Sequence, residues 1–133
     1  MRYEFGKNWL KFVNKIEERN FIEANKSLKK IIDKKNTSNF IDIGCGSGIF
    51  SLSAAYYYKN VVSVDIDKNS ILATKKIRGQ SNINKKNWKV KRGSILSKDF
   101  VVKNGKYDMV YCWGVAHHTG DMWSALDNLK ILV

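Results

Sequence analysis

The sequence predicts an α/β domain built on a Rossmann-like, mostly parallel sheet with helices on both faces, and three observations predict it. From Asn39 onward, apolar runs of strand type alternate with runs of helical period, which calls for right-handed crossovers within one sheet. Every residue with chemical promise falls at the carboxyl end of a strand-like run, where open α/β sheets take their ligands. The length of 133 residues holds one domain with a real core and not two.

The elements follow in order. Trp9, Phe12, Val13 and Ile16 repeat at i, i+3, i+4 and i+7, which makes one helical face. Asn20 followed by Glu23 resembles a capping box and predicts a second helix, with Ala24, Leu28, Ile31 and Ile32 on its face. The polar run "DKKNTSN" from Asp33 to Asn39 breaks it. Then "FIDI" predicts a strand, "IFSLSAAYYY" a helix, "VVSVDI" a strand, "NSILATKKI" a helix with Asp67 as N-cap, and "WKVKRG" a strand. A polar stretch with a turn at Asn104-Gly105 leads to the strand "YDMVYCW". A final helix near "GDMWSALDNLKIL" places Trp123, Leu126 and Leu129 on a shared face, capped by Thr119 or Asp121.

The composition excludes several classes. Hydrophobic residues make up 44% and charged residues 27%, a globular balance that argues against wholesale disorder. No run reaches the roughly 18 apolar residues of a membrane span, so no membrane partner is expected. The opening "MRYEFGKNWLKF" is too interrupted by charge for a secretory signal, and Cys45 and Cys112 fit neither a metal spacing nor a disulfide framework; a cytoplasmic setting with reduced thiols is expected. The net charge of +12 suits a nucleic-acid partner in principle. Most of the cations are Lys, however, and they are scattered, so a solvated basic surface is favoured over nucleic acid.

The stretch "IDIGCGSGIF" carries the chemistry. Gly44, Gly46 and Gly48 open a helix and let backbone approach a ligand closely. A phosphate-binding loop needs Gly-Lys-Ser/Thr after its glycines, and here Ile49 and Phe50 follow Gly48. The dinucleotide fingerprint needs a third glycine at position 49, which is Ile49, so a nicotinamide cofactor is disfavoured. Asp42, two residues ahead of Gly44, would repel a pyrophosphate and suit a ligand carrying an ammonium group beside a carboxylate. Asp65 closes the next strand 21 residues after Gly44, near the spacing at which an acid bonds ribose hydroxyls. An adenosine-like ligand without pyrophosphate is the result.

"FIDIGCGSG", "VVSVDID", "VKRGSILS" and "YDMVYCWGVAHHTGD", in that order, resemble class I S-adenosylmethionine-dependent methyltransferases from about Asn39 to the end of the chain. The resemblance implies S-adenosylmethionine as cofactor and S-adenosylhomocysteine as product. By position it implies that Asp42, Gly44, Cys45, Gly46 and Gly48 hold the methionine end, Asp65 bonds the ribose, and Ile66 lies against adenine. Ser94 and Ile95 would contact the adenine edge, with Ser94 standing where the family often has an acid. Trp113 would lie beside the sulfonium, where an aromatic face attracts a cation. His117 and His118 form no metal pair because adjacent side chains diverge, so no metal is expected; either is a candidate general base for a hydroxyl, thiol or protonated amine acceptor.

Residues 1–38 then form a helical segment that either covers the cofactor as a lid through Phe5 and Trp9 or packs on the sheet, and residues 39–133 form the cofactor-binding domain. Family members continue past the last helix with a fifth strand and an antiparallel pair, whereas this sequence stops at "KILV". The expectation is therefore a sheet truncated after its fourth strand and helix, with an exposed edge that invites a homo-oligomer. Methyl transfer to a small-molecule acceptor is the leading reading. A non-catalytic module that binds S-adenosylmethionine or S-adenosylhomocysteine and an RNA methyltransferase stay open beside it.

Overall fold

The computed structural model describes residues 15–112 and 119–133. Its helices are α1 (Lys15–Lys29), α2 (Ile49–Ala55), α3 (Lys68–Gln80), α4 (Lys98–Lys103) and α5 (Met122–Leu132). Strands β1 (Asn39–Ile43), β2 (Asn60–Asp65), β3 (Trp88–Arg92) and β4 (Met109–Tyr111) make one sheet in the order β3-β2-β1-β4, and all three pairings are parallel. The order reverses at β1, so the switch point lies between β1 and β4. The α/β, Rossmann-like expectation is borne out.

Two apolar clusters cover the two faces. Because strand side chains alternate, Phe40 and Val61 go to one face with Trp88, under Phe21, Ala24 and Leu28 of α1 and Leu52 of α2. Ile41, Ile43, Val62 and Val64 go to the other, under Val101 of α4 and Ala125 and Leu132 of α5. The face under α1 and α2 also holds polar residues: Asp42 and Ser63 stand side by side across β1 and β2 and are both buried.

Several sequence expectations change. Lys15–Lys29 is one helix that runs through Asn20, so no helix starts there; with no Gly or Pro, nothing interrupts the buried row Phe21, Ala24, Leu28. That row ends the helix's buried face early, and Ile31 is left exposed beyond it. Asn25 ties α1 to α2 by accepting from Ser53 Oγ at 3.0 Å and Tyr57 Oη at 2.8 Å. The helix over "IFSLSAAYYY" stops at Ala55, and Tyr56 and Tyr58 bury their rings from the following turn. The polar stretch before Asn104-Gly105 contains α4, capped by Ser97, whose hydroxyl accepts from the Phe100 N–H.

The last helix is rotated from its expected face. Ala125, Asn128 and Leu132 are buried and Leu129 packs half-buried beside them as expected, whereas Trp123 is 73% exposed and Leu126 is also exposed. The Asn128 side-chain amide donates to the Ile95 carbonyl at 2.7 Å, and that bond turns this side of α5 to the sheet. Asp121 is the N-cap, accepting from the Ser124 N–H at 3.1 Å. No described helix is long and apolar enough to cross a membrane.

Candidate cofactor site at the carboxyl ends of the strands

A cleft of about 280 Å³ lies across the carboxyl ends of β1, β2 and β3. Gly44, Asp65, Ile66, Ser94 and Ile95 line it, all of them expected site residues from three separate strand ends. Leu96 and Thr119 line it as well, and sequence reasoning had not singled them out for a site. Ile66 is 64% exposed and Leu96 is 38% exposed, so two aliphatic side chains stand in water at the rim. Exposed aliphatics at a concave site suit a flat apolar ligand surface. Ile95 faces inward instead: it is buried in the cluster under α5 and forms floor, not edge.

The glycine loop is folded on its own hydrogen bonds. The Gly44 and Cys45 N–H groups both donate to the Val64 carbonyl, at 2.7 and 3.0 Å, and the Gly48 N–H donates to the Cys45 carbonyl at 2.9 Å. The Gly46 N–H donates to Asp65 Oδ2 at 3.0 Å, and the Asp67 N–H donates to Asp65 Oδ1 at 2.9 Å. Asp65 is thus oriented from both sides. A carboxylate offers about four lone-pair sites, so two remain for ribose hydroxyls.

Gly46 and Gly48 differ in what surrounds them. A Cβ on Gly46 would meet nothing within 4 Å, so open space lies over this residue. A Cβ on Gly48 would stand 2.9 Å from the Thr74 side chain, so this glycine lets α3 pack onto the loop. Thr74 Oγ1 donates to the Gly46 carbonyl at 3.0 Å, which commits its one proton. The Cys45 thiol, 3.3 Å from the same oxygen, therefore donates to it. Cys45 is buried toward α3, and its burial pushes the thiol up to about 12. Its side chain serves the loop from behind, and only its backbone can border a ligand.

Asp42 is buried beneath the loop, where its Oδ2 accepts from Ser51 Oγ at 2.7 Å. Burial raises this carboxyl to about 7; the Ser51 hydrogen bond opposes the rise, and the Asp65 charge adds to it. Tyr111 on β4 stacks on Phe50 with ring centroids 4.9 Å apart, so it belongs to the packing. A second cleft, about 350 Å³, opens on the α1 side of the loop between Asn20, Glu23 and Ser27 and the residues Cys45, Ser47 and Phe50. Trp113, His117 and His118, like Phe5 and Trp9, lie outside the described residues. Among the described residues no group of His, Cys, Asp and Glu could hold a metal ion.

These residues fit a nucleoside that carries an amino acid. The cleft has nearly the size of a small ligand pocket, roughly 300 Å³ and upward. It has an acid for hydroxyls and an aliphatic rim. Asp42, Cys45, Gly46 and Gly48 do not line it: open space lies over Gly46, and Asp42 is buried under the loop.

Residues 41–133 match the family described as a methyltransferase domain. A ribosomal protein L11 methyltransferase from Lachnospira eligens is 39% identical over 80 residues, covering 59% of this chain and 24% of that protein. A second, from Ruminiclostridium cellulolyticum, is 31% identical over 99 residues, covering 72% and 30%. The chain therefore spans about a quarter to a third of the length of these relatives. Among solved structures, YcgJ from Bacillus subtilis superposes with a TM-score of 0.71 at 19% identity, over 84% of this chain and 46% of that one. PKMT2 from Rickettsia typhi, solved in complex with AdoHcy, superposes with a TM-score of 0.64 at 28% identity, over 86% of this chain and 22% of that one.

Proposed function

The chain belongs to the class I S-adenosylmethionine-dependent methyltransferase family, and from that premise we propose that it binds S-adenosylmethionine in the strand-end cleft and takes part in methyl transfer to a protein side chain. One observation carries the binding reading: Gly44, Asp65, Ile66 and Ser94, which the motif order assigns to the cofactor, line a single cleft. Asp65 is held by the Gly46 and Asp67 N–H groups to face ribose hydroxyls, and Ile66 and Leu96 border the adenine. Asp42 offers its charge to the ammonium of the methionine end. When bound, the cofactor supplies an electrophilic methyl group on a sulfonium. His117 or His118 is the proposed proton acceptor, since imidazole titrates near pH ~6.5.

The acceptor reading departs from the small molecule expected from sequence. It is supported by the two relatives named for a ribosomal protein, both above 30% identity.

Two measurements test this. Calorimetric titration of S-adenosylhomocysteine should give binding that Asp65→Ala and Gly46→Val both abolish, with NAD giving none; unchanged affinity in both variants rejects the assigned cleft. Transfer of labelled methyl to a ribosomal protein fraction, compared with a panel of small metabolites, then tests the acceptor class. Label appearing only on metabolites rejects the protein reading.

A further inference from the structure

Beneath the glycine loop, four side chains from four elements form a continuous hydrogen-bonded line. Trp88 Nε1–H on β3 donates to Ser63 Oγ on β2 at 2.8 Å. Ser63 Oγ–H donates to Ser51 Oγ on α2, and Ser51 Oγ–H donates to Asp42 Oδ2 on β1 at 2.7 Å. Trp88, Ser51 and Ser63 have no exposed surface, and Asp42 is 3% exposed. An ionised carboxylate can only accept, and a serine hydroxyl has one proton to give. Ser51 gives its proton to Asp42 and so accepts from Ser63, which in turn has a lone pair for the Trp88 N–H. The carboxylate fixes the direction of the line, and every bond in it runs toward Asp42.

We propose that Ser51 and Ser63, backed by the Trp88 N–H, are positioning residues for Asp42. Their one-way hydroxyl chain holds Asp42 as an oriented acceptor buried under the glycine loop, from where its charge acts on the ammonium group of the cofactor. The proposal rests on the cofactor reading above for its ligand, but not for its geometry. The register of the sheet creates the line: Asp42 and Ser63 are direct partners across β1 and β2, and α2 lays Ser51 over both. An apolar residue at Ser51 would leave the buried acid without its side-chain donor, and one at Ser63 would leave the buried Trp88 N–H without an acceptor. Both losses are costly in a site closed to water.

The chain also links the loop to a spectroscopic probe. The titratable groups whose charge couples to Asp42 among the described residues are Asp65 at the end of β2, Cys45 in the loop and Tyr111 on β4. Burial raises Cys45 and Tyr111, so neither titrates between pH 5 and 8.

The first test needs no ligand. In ¹⁵N-labelled protein, the Trp88 indole signal, assigned through Trp88→Phe, should move with pH as Asp42 ionises, although Trp88 is shut off from solvent. Asp42→Asn should flatten that movement and Ser51→Ala should interrupt it. A Trp88 signal that ignores pH, or that titrates unchanged in Asp42→Asn, overturns the chain. The second test uses S-adenosylhomocysteine. Ser51→Ala should weaken binding about tenfold and move the midpoint of its pH profile up by about one unit, because the ionised acid has lost a donor.

In an Asp42→Asn background, Ser51→Ala or Ser63→Ala should cost nothing more, since both act through Asp42. Additive losses overturn the positioning role. A protein whose Trp88 signal titrates as expected but which binds no S-adenosylhomocysteine rejects the proposed function and leaves the chain standing.

Discussion

At Gly48 the backbone has φ 88°, and a Cβ would stand 2.9 Å from two side-chain atoms of Thr74; at Gly46 φ is 55° and the space is open. Strain and overlap both act at Gly48, so Gly48→Ala should cost roughly 2–4 kcal/mol in urea unfolding. Gly46→Ala bears only the strain, roughly 1–2 kcal/mol, yet it should lose more S-adenosylhomocysteine affinity than its stability loss accounts for. Asp42 yields a second prediction at this scale. Its folded pKa of about 7 lies above the ordinary carboxylate value, so between the two the folded state holds a proton that the unfolded chain has lost. Stability is therefore greatest below that window and falls as pH rises through it, by about 4 kcal/mol for this group. Asp42→Asn should remove that fall, seen as urea midpoints that change less than wild type's between pH 4 and 8. The exposed Asp67 and Asp121 act in the opposite sense. Hydrogen bonds from the Ser70 and Ser124 side chains lower them, so their support is lost as pH drops through the carboxylate range.

At the scale of elements, α5 and α2 show how a helix face is chosen. The periodic apolar set Trp123, Leu126, Leu129 was legible in the sequence, but the sheet took the neighbouring face, Ala125, Asn128 and Leu132. Small Ala125 allows close approach, and Asn128 closes on the Ile95 carbonyl, a tie that hydrophobic periodicity does not register. Leu132→Ala should therefore cost about 2–5 kcal/mol, whereas Trp123→Ala should change stability by no more than about 0.5 kcal/mol, both read from denaturant midpoints. Capping was more legible: Asp67 accepts from the Ser70 N–H at 3.0 Å as its position suggested. The signal for Ser63 was also present, a hydroxyl where "VVSVD" otherwise runs apolar, but its partner Ser51 lies in another element and only packing joins them.

Across the whole molecule the charges are arranged as well as numerous. Lys86, Lys89, Lys91, Lys103 and Lys106 line a cleft of about 440 Å³ at the amino ends of the strands, away from the cofactor cleft, and no carboxylate among the described residues lines it. These lysines repel one another across the cleft, so Lys89→Glu should raise the urea midpoint slightly in low salt, and added salt should shrink the gain. The lysines were read from sequence as scattered because the chain brings them from two separate stretches, 86–91 leading into and along β3 and 103–106 from the end of α4.

By itself the sequence determined the alternation of strands and helices, the glycine loop and the acids at strand ends, because each is a local pattern with a local physical cause: period, φ freedom, or a capping oxygen. Only the tertiary structure decided which glycine faces open space and which faces Thr74, and which side of α5 is buried. It alone joined Trp88, Ser63 and Ser51 to Asp42. Those outcomes depend on sheet register and helix seating, which bring together residues up to 46 positions apart along the chain.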